Sequence, residues 1–128
     1  MIALALKILL AYLLGSISGS MVLGRMRDVD IRSSGSGNAG GTNAFRTQGF
    51  RFALGVVIID IGKGALAAWA IPLLPFGEGV MPAIQVMACG FAAVVGHCYP
   101  AWHGFRGGKG AATAVGALAV IQPAVLIP

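Results

Sequence analysis

Four long apolar runs dominate the chain and limit the folds open to it. They cover about residues 2–23, 52–74, 80–99 and 110–127. A helix needs about 20 residues to cross a hydrocarbon core about 30 Å thick, and the first three runs are long enough. The sequence therefore predicts an all-α, polytopic transmembrane helix bundle with about four spans, forming one membrane domain over residues 1–128.

Composition supports a lipid bilayer as the environment of these runs. Charged residues make up 10% of the chain, against about 25% in soluble domains. A small soluble domain has a large surface for its volume and needs more charge to cover it. The net charge is +5, but the cations flank hydrophobic runs, which argues against a nucleic-acid partner. Lys7, inside the first run, is expected to extend to the membrane interface.

The distribution of cations predicts the orientation of the chain. The first polar segment contains five arginines, and the third contains Arg106 and Lys109. The second, near residues 76–79, contains Glu78 and no lysine or arginine. Because loops rich in positive charge stay in the cytoplasm, the first and third loops are predicted to be cytoplasmic and the N-terminus to lie outside.

The first polar segment includes a glycine-rich stretch, residues 35–46, which reads GSGNAGGTNAFR. Closely spaced glycines allow several backbone N–H groups to point toward one anion. The stretch formally matches GxGxxG, but the βαβ context of a dinucleotide fold is missing. Five of its side chains can donate hydrogen bonds to phosphate: Ser36, Asn38, Thr42, Asn43 and Arg46. We predict an anion site here, with a flexible loop as the alternative.

A second glycine-rich motif, residues 105–110 with the sequence FRGGKG, precedes the fourth run. Lys109 stands where helix N-terminal amides and an ammonium can meet a phosphate. The motif is not a Walker A loop, because the required earlier glycine and the following Ser or Thr are absent. His97 stands just upstream, and histidine is the side-chain type most often used for proton transfer at physiological pH. It is either a general base or a hydrogen-bond partner of a carbonyl at a helix end.

Two pairs of residues inside the apolar runs also stand out. Asp60 and Lys63 lie three residues apart and share a helix face. Charges inside a membrane are costly and often functional, so this pair either holds helices together or takes part in the site. Gly15 and Gly19 allow close helix packing, which we expect within this chain rather than between two copies. No Cys, His and carboxylate cluster has metal-ligand spacing, so no metal is predicted.

The order of these motifs resembles the bacterial acyl-phosphate:glycerol-3-phosphate acyltransferases. The similarity rests on D-I-R-x-x-G-S-G-N-x-G-x-T-N-x-x-R from Asp30, D-x-x-K-G from Asp60, G-H-x-x-P from Gly96, and G-G-K-G-x-A-T from Gly107. It covers nearly the whole chain. One departure is Ala39, where family members often have proline, a change that should be tolerated.

The resemblance implies an enzyme of phospholipid synthesis in the bacterial inner membrane. Such an enzyme transfers an acyl group from acyl phosphate to the 1-hydroxyl of glycerol 3-phosphate, releasing lysophosphatidic acid and phosphate without a cofactor or metal. The predicted catalytic residues are Ser36, His97 and Lys109. The predicted substrate-binding residues are Gly35, Gly37, Asn38, Thr42, Asn43, Arg46, Gly107 and Gly108. Asp60 and Lys63 are predicted to support them.

Two further expectations accompany this hypothesis. Intramembrane Asp60 and Lys63 also suit a transporter or binding subunit for phosphorylated solutes, although no inverted repeat is evident. Family members continue through further spans to a third cytoplasmic motif with His, Asn and Glu. Because the fourth run ends at Pro128 without a polar anchor, we expect the sequence to be a fragment that lacks this motif and full catalytic competence.

Overall fold

The structure, a computed structural model, describes residues 1–76 and 79–122, and within them it contains helices and no strand. The α-helices are α1 (Ile2–Gly15), α2 (Gly19–Arg25), α3 (Gly41–Gln48), α4 (Phe50–Trp69), α5 (Pro82–Cys98) and α6 (Ala111–Ile121). Short 3-10 turns cover Ile31–Ser33 and Ala101–His103. The prediction of an all-α membrane protein is confirmed. Glu78, used to predict orientation, lies outside the described residues.

The membrane-spanning segments differ in detail from the predicted runs. By length and composition, α4 and the segment Pro82–His103 can each cross a bilayer, and α1 with α2 can do so as a bent pair. Helix α6 has 11 residues and is shorter than a span; the part of the predicted fourth span beyond residue 122 lies outside the described residues. The described helices therefore provide up to three spans, and the fourth stays a prediction.

The first span is not one continuous helix, as the run 2–23 suggested. Helix α1 ends at Gly15, and α2 restarts at Gly19 with a bend of 46°. A break in a membrane helix frees backbone groups that lipid cannot satisfy. Here α4 satisfies two of them: Lys63 donates to the carbonyl oxygen of Ile17, and Asp60 accepts from the N–H of Gly19.

Small residues allow the helices to approach closely. A side chain at Gly15 would collide with the backbone of Ala93 on α5, and one at Gly19 would collide with the backbone of Val56 on α4. Gly116 on α6 lies equally close to the backbone of α4. Lipid provides little hydrophobic drive between helices, so such close packing is a main source of their association. The expected packing of Gly15 and Gly19 within the chain is confirmed.

Lys7 does not extend to the interface as expected. Its side chain is buried, and its Nζ donates to the carbonyl of Pro72 and to Oε1 of Gln85, each at 2.7 Å. The ring centroid of Phe76 lies 5.3 Å from the same ammonium. The α4–α5 connection and the first turn of α5 offer these partners inside the protein, so Lys7 has no need to reach water.

Candidate functional site

The two glycine-rich segments meet around one pocket of about 260 Å³. Part of its wall comes from the first segment and the start of α3: Ser36, Asn38, Gly40, Gly41, Thr42, Asn43 and Arg46. The rest comes from α4, α5 and the start of α6: Asp60, His97, Lys109, Gly110, Ala111 and Ala112. All three residues predicted as catalytic therefore lie on one pocket, together with four of the eight predicted binding residues: Asn38, Thr42, Asn43 and Arg46.

Two helix N-termini open on this pocket. The first N–H that bonds within α3 belongs to Ala44, and the first within α6 belongs to Ala114. The preceding amides, at residues 41–43 and 111–113, have no intrahelical partner. The starts of both helices line the pocket. Converging N-termini present free N–H groups and positive dipole ends, which together favour an anion.

Two cations complete the positive character of the pocket. Arg46 and Lys109 both line it, and both are exposed. Neither forms an ion pair with any carboxylate in the described part of the chain, where the acidic partners of salt bridges are Asp30 and Asp60. Their charges are therefore available to a ligand. In the same described regions, no three His, Cys, Asp or Glu side chains are grouped to hold a metal ion.

Asn43 organises the first glycine-rich segment from inside. Its side chain is buried; Nδ2 donates to the carbonyls of Ile31, Ser34 and Asn38 at 2.9–3.1 Å. Its Oδ1 accepts from the N–H of Ser36 at 3.0 Å. We predicted a phosphate ligand, but the amide is committed to these loop contacts. The sequence alone does not show that an asparagine among glycines holds a loop together, because its partners are known only from the fold.

The predicted binding glycines lie behind the pocket wall, and the N–H groups of Gly37, Gly107 and Gly108 already bond backbone carbonyls. Gly35 and Gly37 have φ of 58° and 75°, a region that favours glycine. The N–H groups of Gly107 and Gly108 donate to the carbonyls of Cys98 and His97. None of these four glycines lines the pocket. The free amides come from the following helix starts, which were missed at Gly41, Ala111 and Ala112.

Arg32 ties the two glycine-rich segments together. It pairs with Asp30 at 2.8 Å, and its Nη1 donates to the carbonyls of His103 and Arg106 at 2.7 and 2.9 Å. The hydrogen bond from Arg32 lowers the pKa of Asp30, so the pair stays ionised near neutral pH. Arg106 directly precedes the segment from Gly107 to Lys109. The contact with Arg32 therefore holds the backbone from which the Lys109 side chain extends into the pocket.

Asp60, Lys63 and His97 form a buried cluster at the base of the pocket. Lys63 Nζ lies 3.0 Å from Asp60 Oδ1 and 2.9 Å from His97 Nδ1. Asp60 and His97 line the pocket, whereas Lys63 does not. The sequence left open whether the Asp60–Lys63 pair holds helices together or takes part in the site. In the structure the pair joins α4 to the broken first span, and Asp60 also lines the pocket.

A family model and individual relatives identify the same protein family. A family model described as glycerol-3-phosphate acyltransferase matches residues 5–128. The glycerol-3-phosphate acyltransferases of Chlorobaculum parvum and Halalkalibacterium halodurans are each 46% identical, over 125 and 115 residues, covering 91% and 88% of this chain. The matches cover 53% and 54% of those proteins, so the chain spans about half the length of these relatives.

Solved structures agree with the sequence comparison. A crystal structure of PlsY (YgiH), an integral membrane glycerol 3-phosphate acyltransferase, in its glycerol 3-phosphate form matches with a TM-score of 0.81 and 38% identity. The match covers 95% of this chain and 59% of that one. The lysophosphatidic acid form of the same protein matches with a TM-score of 0.78.

Proposed function

The chain belongs to the glycerol-3-phosphate acyltransferase family, and we propose that its pocket aligns acyl phosphate with glycerol 3-phosphate for acyl transfer to the 1-hydroxyl. The products are lysophosphatidic acid and inorganic phosphate. The observation that carries the proposal is the convergence of two helix N-termini and two cations on one pocket; these cations, Arg46 and Lys109, have no ion pair within the described residues. Both substrates bear phosphoryl groups, which such a pocket favours.

The chemistry asks for alignment and charge stabilisation. Acyl phosphate already has a good leaving group, so a covalent enzyme intermediate is unnecessary. Holding two reactants in line can remove about 7–11 kcal/mol of the barrier. Arg46, Lys109 and the helix amides stabilise charge that develops on the phosphoryl and carbonyl oxygens. The hydroxyl of Ser36, on the same wall, is placed to orient a substrate oxygen.

The proposed location is the cytoplasmic face of the bacterial inner membrane. The pocket side of the bundle contains the end of α5 and the starts of α3 and α6, together with Arg46 and Lys109. The positive-inside tendency places this side in the cytoplasm and the N-terminus outside. The acyl chain then lies among the apolar helices while its phosphate enters the pocket.

A transporter for phosphorylated solutes is not favoured by the structure. Asp60 and Lys63, which suggested that alternative, are bound to each other and to backbone groups of the broken first span. Charges held in this way brace a fold and border a site instead of lining a path across the membrane.

The test is turnover by the full-length protein in detergent or lipid. With acyl phosphate and glycerol 3-phosphate supplied, we expect stoichiometric release of phosphate and formation of lysophosphatidic acid. Omitting glycerol 3-phosphate, or replacing acyl phosphate with acyl-CoA, is expected to abolish the reaction. A folded preparation that shows no turnover with both substrates would contradict the proposal.

Arg32→Gln is expected to lower turnover about 10- to 100-fold although Arg32 lies outside the pocket. The substitution removes the contacts to the carbonyls of His103 and Arg106 and lets Lys109 shift. A displacement of about 1 Å in a positioning element can cost about 100-fold. The measurement is the initial rate of phosphate release. Arg27→Gln is the matched control, since Arg27 stacks on Phe52 away from the pocket; equal rates in the two variants would refute the role of Arg32.

A further inference from the structure

The side-chain ammonium of Lys63 has three hydrogen-bond partners, one for each of its N–H groups. Its Nζ lies 2.6 Å from the carbonyl oxygen of Ile17, 2.9 Å from Nδ1 of His97 and 3.0 Å from Oδ1 of Asp60. An ammonium group has three N–H donors and no acceptor. Each proton therefore has one partner, and the side chain is buried. An ammonium at this position can only donate to Nδ1 of His97.

This geometry selects one form of the His97 ring. A nitrogen that accepts a hydrogen bond carries no proton, so Nδ1 is unprotonated and the neutral ring carries its proton on Nε2. A doubly protonated ring would turn an N–H of Nδ1 toward the Lys63 ammonium. Asp60 offers Nδ1 little competition, because its Oδ1 is 3.5 Å away and already accepts from Lys63 and Gly19.

The other ring nitrogen, Nε2, lies on the side of the second glycine-rich segment. His97 is buried yet belongs to the pocket wall. A Cβ at Gly108 would collide with Nε2, so the second glycine-rich segment passes beside this nitrogen just before Lys109 enters the pocket space. No hydrogen-bond partner for Nε2 is found among residues 1–76 and 79–122. Arg46, Lys109 and two helix N-termini border the same space, and all of them favour a negatively charged ligand.

We propose that Lys63 is a positioning residue that holds His97 in the Nε2–H tautomer, and that this N–H donates a hydrogen bond to a phosphoryl oxygen in the pocket. The ligand half of the proposal rests on the proposed function, whereas the tautomer half does not. An Nε2 that carries a proton cannot accept one, so His97 binds and orients substrate in place of serving as the general base. Asp60 completes the arrangement by anchoring Lys63.

The tautomer is read directly by nitrogen NMR of the full-length protein labelled with ¹⁵N-histidine. The ring signals of His97 are identified by their loss in His97→Asn. We expect a protonated Nε2 and an unprotonated Nδ1 at neutral pH, with no substrate present. A proton on Nδ1, alone or on both nitrogens, would overturn the proposal whether or not the protein shows turnover.

The role of Lys63 is tested against the other buried lysine. Lys7 is also buried with two hydrogen-bond partners, but it lies in the first half of α1, about two turns before the break. We expect Lys63→Met to mix the His97 tautomers and to lower kcat about 10- to 100-fold. Lys7→Met is expected to lower thermal stability, keep the tautomer and retain most activity. An unchanged tautomer in Lys63→Met would overturn the positioning role; if that variant does not fold, the wild-type spectrum still decides the tautomer.

The ligand half has its own probe, inorganic phosphate. Titrating phosphate into the wild-type protein is expected to shift the Nε2 signal of His97 saturably, with a smaller shift in Lys109→Met. An Nε2 signal that does not move at saturating glycerol 3-phosphate or phosphate would overturn the proposed contact. This outcome is distinct from a failure of the proposed function, which the turnover assay reports separately.

Discussion

Lys109→Met is expected to reduce turnover about 100- to 1000-fold, the range seen when one donor to a developing negative charge is removed. The side chain is exposed, lines the pocket, and forms no ion pair within the described residues. Its charge is therefore available to the phosphoryl group and contributes nothing to holding the fold. We expect kcat to fall and the thermal unfolding midpoint to stay unchanged. The measurement is kcat and KM for acyl phosphate, with unfolding followed in the same detergent.

Arg106→Met is the matched control for this substitution. Arg106 is an exposed cation in the same loop, but it contributes to the contact with Arg32 through its backbone carbonyl and does not line the pocket. Its loss removes the same charge from the loop without removing it from the site. Equal losses of activity in the two variants would mean that general loop charge, and not a contact made by Lys109, supports turnover.

Asn43→Ala is expected to disorder the first glycine-rich segment and to abolish most activity. The substitution removes four hydrogen bonds, which join this side chain to Ser36 and to the carbonyls of Ile31, Ser34 and Asn38. A buried polar group left unpaired costs about 1–3 kcal/mol. Several of these groups reach water once the loop opens, so we expect a total loss of about 2–4 kcal/mol. Limited proteolysis and thermal unfolding measure it.

Two companion variants separate the role of Asn43 in the loop from a direct contact with substrate. Asn43→Asp keeps the acceptor for Ser36 but loses all three donated hydrogen bonds. Its activity and stability are therefore expected to fall nearly as far as those of Asn43→Ala. Gln48→Ala, at the end of α3, is the control and should behave like the wild type. Full activity with an unchanged cleavage pattern in Asn43→Ala would contradict the assigned role.

Much of the site was predictable because its signals are local in the sequence. Glycine density marked both segments that form the pocket, and the unpaired cations Arg46 and Lys109 stood inside them. Motif order also identified the family, which the family model and the relatives confirm. These properties depend on a few consecutive residues and need no knowledge of the fold.

Other features depend on partners distant in the chain, which the sequence does not show. The amides of Gly107 and Gly108 looked free, but in the fold they bond the end of α5. Asn43 looked like a ligand, but carbonyls up to 12 residues away use its donors. Lys7 was expected at the interface, but a partner 78 residues away holds it inside. In each case the donor was visible in the sequence and its partner was not.

By itself, the sequence determined that this chain forms apolar helices in a membrane, carries two anion-attracting segments and belongs to a known enzyme family. Span length, glycine content and charge are properties of local residues, so they can be read from the sequence alone. Only the tertiary structure decided which amides open on the pocket, where the first span breaks and how Lys63 meets His97. Those outcomes depend on residues far apart in the chain. Lys63, for example, contacts His97 and Ile17, which are 34 and 46 residues away in the sequence, and these contacts form only when the helices pack.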